Sequence, residues 1–514
     1  MKASKLIKYL TNKITILLLV VLLFSACSDN KEFQNDSPEV SDEELRAGFH
    51  TVSEEIKPWT YWYWINNHIS REGITEDLKS MAELGIGAAL IGNIYLDNFG
   101  MVEGEVPVLS PEWKELIQHA IREGDRLGVD IGLFNSPGWS QSGGPWNDES
   151  NSMRYLTYTE LNVQGGKRIE KKLETPTEDF EDVSVLAFPS MNELNSKGAF
   201  SISADKRISN LNNLVDNDTA TTVLLTDLKE VNLLFEADQI KTARSLKIYP
   251  SRSTLTLNVK LLAESNGSWK EIRSFEFDRR NAMDQLGYDD YPPVVVSFPE
   301  VNSKKFRIEL SDISATLDSK EIGLAEIQIS SRPQLEYYIE KQLGKMHQTP
   351  LPLDDAYRWP DQSEPSDEDL VLTNDKIIDI SDKLSEDGIL KWEAPEGEWT
   401  ILRMGMATTG IKNGPAAPNA MGLEVDKINK KALRQHFEGF VGAILESMPA
   451  GERKAFKYVV ADSYETGSQN WTDDFEDSFM KTYNYDPKFF LPVMTGRIVN
   501  SVEESNRFLW DLRR

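Results

Sequence analysis

The 514-residue sequence holds a single cysteine, Cys27, and only five histidines. One thiol excludes disulfides within the chain, CxxC zinc sites and a thiol nucleophile elsewhere. Basic residues are also scarce: 56 Lys and Arg face 83 Asp and Glu, giving a net charge of -27. That balance opposes nucleic acid and anionic lipid head groups, and leaves neutral substrates or metal cations as better partners. What the chain has in quantity is apolar material, 40% of residues, enough for two or more domains with real cores. Its twelve Trp and sixteen Tyr suit the apolar faces of sugars.

The N-terminus carries Lys2, Lys5, Lys8 and Lys13, followed by an apolar run from Ile14 to Phe24 broken only by Thr15. The run falls short of the roughly 20 residues that span a bilayer, so it reads as an export signal. Phe24-Ser25-Ala26-Cys27 resembles the lipobox of bacterial lipoproteins, which implies a lipid on Cys27 and a place at the outer membrane or in the periplasm. A plain signal peptide with an incidental cysteine is the competing reading. Residues 28–50 are acidic and too polar to build a core, as in a tether.

Beyond the tether, strand and helix patterns alternate. Trp59 to Trp64 is an aromatic strand, Ile74, Leu78 and Met81 stripe a helix, and Ile86 to Ile94 is a strand apolar on both faces. Ser110-Pro111 starts a second helix, Trp113, Leu116, Ile117, Ala120 and Ile121 form its inner face, and Val129 to Phe134 is a third strand. This rhythm predicts a (β/α)8 TIM-like barrel. From about Glu160 to Arg332 it gives way to strand-like pieces, and it returns after Gly410 with a possible strand Met421–Asp426, a helix striped by Leu433, Phe437, Phe440, Val441, Ile444, Leu445 and Met448, and a strand Phe456–Ala461. The expected organisation is signal 1–27, tether 28–50, first barrel part 51–160, inserted β-sandwich 161–333, small β-rich segment 334–409 and barrel continuation 410–514. Four or five barrel strands can be counted where eight are needed, so the barrel is expected to be incomplete over this sequence.

Catalytic groups of such a barrel follow the carboxyl ends of its strands. Three stretches qualify. In Asn135 to Trp146, glycines let a backbone approach a ligand, Asn135 and Gln141 can bond hydroxyls and Trp139 can stack on a pyranose; an ordinary Gly-Pro loop is the alternative. In Gly410 to Lys427, Glu424 and Asp426 share a face if the segment is extended, able to bind a cation or sugar hydroxyls, or else to pair with Lys427. In Asp462 to Thr472, a carboxyl at a strand end among aromatic residues can stay protonated as a general acid, a role given to Glu465, with Asp462 holding substrate or loop; a solvated acidic loop is the bland reading. His119 and His436 fall inside predicted helices, where a structural role is expected, while His68 follows the first strand and could reach sugar.

These stretches, with Pro58 to Trp64 and Phe489 to Arg497, stand in an order that resembles glycoside hydrolase family 106, the α-L-rhamnosidases, over about Trp59 to Arg514. Within the insertion, Asn213 to Thr219 and Ile322 to Ile327 resemble discoidin-like carbohydrate-binding modules, a purely structural sandwich being the alternative. The family resemblance implies a barrel with β-domains, calcium, and inverting cleavage of a rhamnose-containing oligo- or polysaccharide. Carried over by motif, Glu465 resembles the family's acid; the base matches no motif, and no EF-hand loop supplies calcium ligands, so both stay unassigned. Substrate contacts are expected from Trp64, Asn135, Trp139, Gln141, Glu424, Asp462, Asn470 and Trp471. A non-catalytic glycan-binding lipoprotein is the alternative function, and a structural surface protein a remoter one.

Overall fold

The computed structural model describes residues 41–50, 56–96, 100, 102–190, 199–279, 287–315, 321–345, 359–464 and 467–514. Cys27 and Glu465 lie outside the described residues. The chain divides into two compact units, residues 1–57 and 58–514. In the first, the acidic stretch expected as a tether includes helix α1 (Asp42–His50), which buries none of its residues. Among the described residues no helix is long and apolar enough to cross a membrane.

The second unit begins with β1 (Trp59–Ile65), α2 (Arg71–Glu83), β2 (Ala88–Ile94), α3 (Pro111–Leu127) and β3 (Asp130–Phe134). Ser70 and Ser110 cap the two helices by accepting from the Gly73 and Trp113 amides, and Gly128, at φ +74°, closes α3 in the left-handed region that glycine tolerates. The apolar face of α3, from Trp113 to Gly124, is buried as its spacing demands. Each large side chain so buried contributes roughly 1.5–3 kcal/mol of transfer free energy.

The chain then builds β4 (Arg154–Gln164), β5 (Lys167–Lys172) and β6 (Glu181–Pro189), followed by β7 (Ser201–Ala204), β8 (Val223–Leu224), β9 (Val231–Pro250), β10 (Leu255–Ser265), β11 (Ser268–Arg279), β12 (Val294–Ser314) and β13 (Gly323–Ser330). Strands β7 to β13 form one seven-stranded sheet around a core that includes Phe235, Phe277 and Phe306. After the short helix α4 (Tyr338–Lys341) come β14 (Ile378–Asp379), β15 (Ile389–Ala394) and β16 (Glu398–Thr408). Here the structure departs from the division at residue 333. Strands β4 and β6 flank β16 in a four-stranded sheet with β14, and β5 pairs with β15. The reason is β16 itself, buried from Trp399 to Ala407 on both faces, which needs a ladder partner on each side.

The last segment contains α5 (Lys430–Phe437), a π-turn over Glu438–Gly442, α6 (Ala443–Glu446), β17 (Phe456–Val460), α7 (Phe475–Tyr483) and α8 (Val502–Arg513). Strand β17 returns to lie parallel to β3, giving a parallel sheet of order β1-β2-β3-β17. Two expectations fail locally. Residues 421–426 make only isolated bridges, Leu423 to Lys412 and Val425 to Ser152, and no strand. The stripe on the helical stretch is shifted: Leu433 and Phe437 are exposed, whereas Ala432, His436, Phe440, Val441, Ile444 and Met448 are buried. The shift arises because His436, read as polar, is drawn inside by hydrogen bonds.

Candidate active site

The parallel sheet presents two unlike faces, because successive side chains of a strand point to opposite sides. On one, Trp62 and Trp64 of β1 are buried edge to face, at 5.4 Å between ring centroids, in the core shared with α2 and α3. On the other, Trp59, Tyr61 and Tyr63 are 55%, 53% and 39% exposed. Trp59 packs on Tyr458 of β17, Tyr61 and Tyr63 stack at 5.7 Å, and Phe134 and Trp139 extend the cluster, Trp139 lying 6.3 Å from Tyr63. Gly92 of β2 lies under this cluster, where an added Cβ would stand 2.3 Å from the Phe134 ring. The exposed face is therefore a continuous aromatic surface ending at the carboxyl ends of the strands. Asp462, two residues beyond β17, stands there: burial first, then the charges of Tyr61 and Asp462, raise the Tyr63 hydroxyl above its usual pKa.

The loops at those strand ends interlock. Asn66 donates its amide to Ile94 O, Gly138 to Asn93 O and Asn135 to Val460 O. Gly138, at φ +85°, lies against Gly414, whose carbonyl accepts from the Trp139 and Ser140 amides; a Cβ there would meet it at 2.6 Å. Asn413 is buried and donates to Pro137 O at 2.8 Å and Ala420 O at 3.2 Å while accepting from the Gly422 amide. His436 accepts from Trp146 Nε1 on Nδ1 and donates from Nε2 to Asn135 O at 3.0 Å. Burial lowers its pKa to about 4, so the ring stays neutral and holds one tautomer.

Two carboxylates lie behind these loops. Glu424 accepts from Ser142 Oγ at 2.6 Å and from Lys427 Nζ at 2.7 Å. The Lys427 ammonium also sits 4.5 Å over the Tyr464 ring, and its burial lowers its pKa against the raising effect of Glu424. Asp426, with no exposed surface, accepts from Thr472 Oγ1 at 2.5 Å, Gln469 Nε2 at 2.6 Å and the Ile428 amide, with the Arg154 guanidinium at 3.7 Å. Pairing with Lys427, one of the two roles open from spacing, is what Glu424 does.

The structure gathers Trp139, Asp462 and the half-buried Gln141 near the open strand ends, and turns other expected contacts to different uses. Trp64 belongs to the helix-covered core. Asn135 is buried, its amide donating to Gln141 O and its carbonyl receiving His436. Asn470 is consumed by the Leu156 amide, Tyr288 Oη and Gln342 O, and Trp471 is buried against Phe475. Sequence reasoning does not single out Tyr61, Tyr63, Ser142, Thr472 or Arg154. Strand alternation sets residues 61 and 63 opposite 62 and 64, and the helices packed on Trp62 and Trp64 decide which pair is exposed. As for calcium, among the described residues no three His, Cys, Asp or Glu stand together to hold an ion. Glu424 and Asp426 are already engaged by a lysine, an arginine and neutral donors, so they do not fit one.

The model of glycoside hydrolase family 106, described as alpha-L-rhamnosidase, matches residues 50–514. The chain belongs to this family. A solved rhamnosidase structure from Novosphingobium sp. PP1Y is 27% identical and superposes with a TM-score of 0.76, over 91% of this chain and 44% of that one. A curated relative from Formosa agariphila, named "Putative beta-glucuronidase", is 28% identical over 484 residues, which are 94% of this chain and 29% of that protein. The chain thus spans less than half the length of either relative.

Because His436 titrates near 4 when folded and near 6.5 when unfolded, the unfolded chain binds more protons between those values. Stability from this group is full above about pH 6.5 and is lost as pH falls towards 4, by roughly 3 kcal/mol in all. Denaturant unfolding from pH 7 to 4.5 should therefore show the wild type losing its advantage over His436→Gln as pH falls.

Proposed function

We propose that this family-106 chain forms part of an exported α-L-rhamnosidase whose catalytic face is the exposed aromatic side of the parallel sheet. Under this reading β1, β2, β3 and β17 are strands of a (β/α)8 barrel, and Tyr61, Tyr63 and Trp139 stack on the sugar. The observation that carries it is the family match over residues 50–514, joined to Asp462, two residues past β17 and near enough to Tyr63 for its charge to act on that hydroxyl. Glu465, three residues further along the sequence, gives its proton to the glycosidic oxygen as the bond to the anomeric carbon breaks. A second carboxylate, unassigned here, takes a proton from water attacking the opposite face, so the configuration inverts; such pairs stand about 6.5–9.5 Å apart. Asp462 orients the sugar at the strand end. The substrate class is a polysaccharide or oligosaccharide with terminal α-L-rhamnosyl units, of plant or microbial origin. The lipid on Cys27 holds the enzyme at the outer membrane or in the periplasm, where released monomers stay near the cell. Calcium, which the family resemblance implies, finds no fitting ligands in Glu424 or Asp426, and no step here passes through it.

The test uses the protein expressed from its whole reading frame. It should release L-rhamnose from aryl α-L-rhamnosides, and Glu465→Gln should lower kcat/KM by about 10²–10⁴ for poor leaving groups and far less for 4-nitrophenol. Equal activity of that variant on a poor leaving group removes Glu465 from the reaction. The name of the Formosa relative makes an aryl β-D-glucuronide the control substrate; preferential cleavage of it overturns the rhamnoside assignment, and sugar retention without any cleavage favours a non-catalytic glycan binder. In the native host, Cys27→Ser should move the protein from the membrane to the soluble fraction and abolish its labelling by a fatty-acid analogue.

A further inference from the structure

Away from the parallel sheet, a concavity of about 300 Å³ lies between β4, the end of β9 and helix α4. It shares no lining residue with the aromatic face of the parallel sheet. Its walls include Tyr155, Tyr249, Tyr288 and Tyr338, with Asp289 and Thr157 among its polar groups. Tyr155 and Tyr288 stack at 4.3 Å with their planes 14° apart, which fixes both rings. Tyr288 Oη accepts from Asn470 Nδ2 at 3.1 Å, leaving its own hydrogen to donate. Burial holds the Tyr155, Tyr288 and Tyr338 hydroxyls in the protonated form, able to donate and accept. Asp289 is held by its amide on Gly344 O at 3.0 Å and by the Tyr291 amide on Oδ1 at 3.1 Å.

Rigid aromatic rings beside hydroxyls and a carboxyl match one ligand chemistry well. A pyranose offers an apolar C–H face to a ring and a rim of hydroxyls to polar groups, and 300 Å³ lies at the small end of ligand pockets. The carboxyl of Asp289, in a chain of net charge -27, disfavours an anionic sugar. We propose that this cleft is a second carbohydrate-binding site, taking a neutral pyranose unit of a glycan. The site holds glycan without cleaving it and stands whichever glycosidic bond the sheet face attacks. Its wall is continuous with the segment after Glu465: Asn470 donates to Gln342 O at 3.0 Å and accepts from the Leu156 amide at 2.9 Å, and Ser468 Oγ donates to Leu343 O.

Isothermal titration of the whole-frame protein with methyl β-D-galactopyranoside and methyl β-D-glucopyranoside, which lack the rhamnosyl unit proposed for the sheet face, and affinity electrophoresis in a neutral galactan, test this. Wild type should bind at least one probe. Thr157→Trp, which fills the cleft from β4, should weaken that binding at least tenfold without changing Tm, and Asp289→Asn should weaken it several-fold, while Tyr63→Ala on the sheet face leaves it in place. Should Thr157→Trp lower Tm, the shape-conserving Asp289→Asn decides alone. No binding of any probe, binding unchanged in Asp289→Asn, or binding abolished by Tyr63→Ala overturns the proposal. Hydrolysis of aryl rhamnosides, assayed on the same variants, reports the catalytic reading separately.

Discussion

A buried carboxylate organises this chain. Asp426 has lost all contact with water, and a bare carboxylate in that position would be too costly to keep. It is satisfied by groups from two remote stretches, Arg154 at the start of β4 and Gln469 and Thr472 beyond β17, and by the Ile428 amide of its own loop. Arg154 in turn reaches Asp473 at 2.7 Å and Glu181 at 3.1 Å. The Asp426 amide adds a bond to Asn151 O. The junction where the parallel sheet hands over to the small antiparallel sheet is thereby pinned to the segment that follows Glu465. Breaking such a pair by removing one partner costs about 3–5 kcal/mol, since the other charge stays buried.

What surrounds this clasp divides into support and surface. The polar residues behind the strand ends, Asn135, Asn413, Glu424, His436 and Asn470, spend their hydrogen-bonding capacity on one another's loops. The exposed side chains of the adjoining sheet face and its loops include the aromatic Trp59, Tyr61, Tyr63 and Trp139. An exposed aromatic surface of this kind is the feature on which the sugar-binding proposal rests.

The regular parts of this arrangement were legible in the sequence because they follow local rules. Ser110-Pro111, the stripe from Trp113 to Ile121 and Gly128 define α3 with no reference to the rest of the chain. The parallel strands announced themselves as apolar runs of the right length. Long-range choices were not legible. Five aromatic residues and one threonine in the six positions Trp59 to Trp64 conceal which parity faces the helices, so the sequence alone does not separate Trp64 in the core from Tyr61 and Tyr63 on the open face. The pairing of β4 and β6 with β16, more than 200 residues away, is set by the two-sided burial of β16. Asn470 and Trp471 look like site residues in a polar loop, but only the packed structure reveals that Leu156, Tyr288 and Phe475 occupy them. His436 shows the same limit, since a polar residue enters the core only because Trp146 and Asn135 are there to receive it.

Asp426 is the structural clasp of the site and not a ligand for sugar or metal. Hydrogen–deuterium exchange on wild type and Asp426→Ala tests this role. The substitution should expose the amides of 467–472 and of 151–156 together, with a stability loss of about 3–5 kcal/mol that added calcium does not restore. Unchanged protection of both segments, with only sugar or calcium affinity lost, would contradict it.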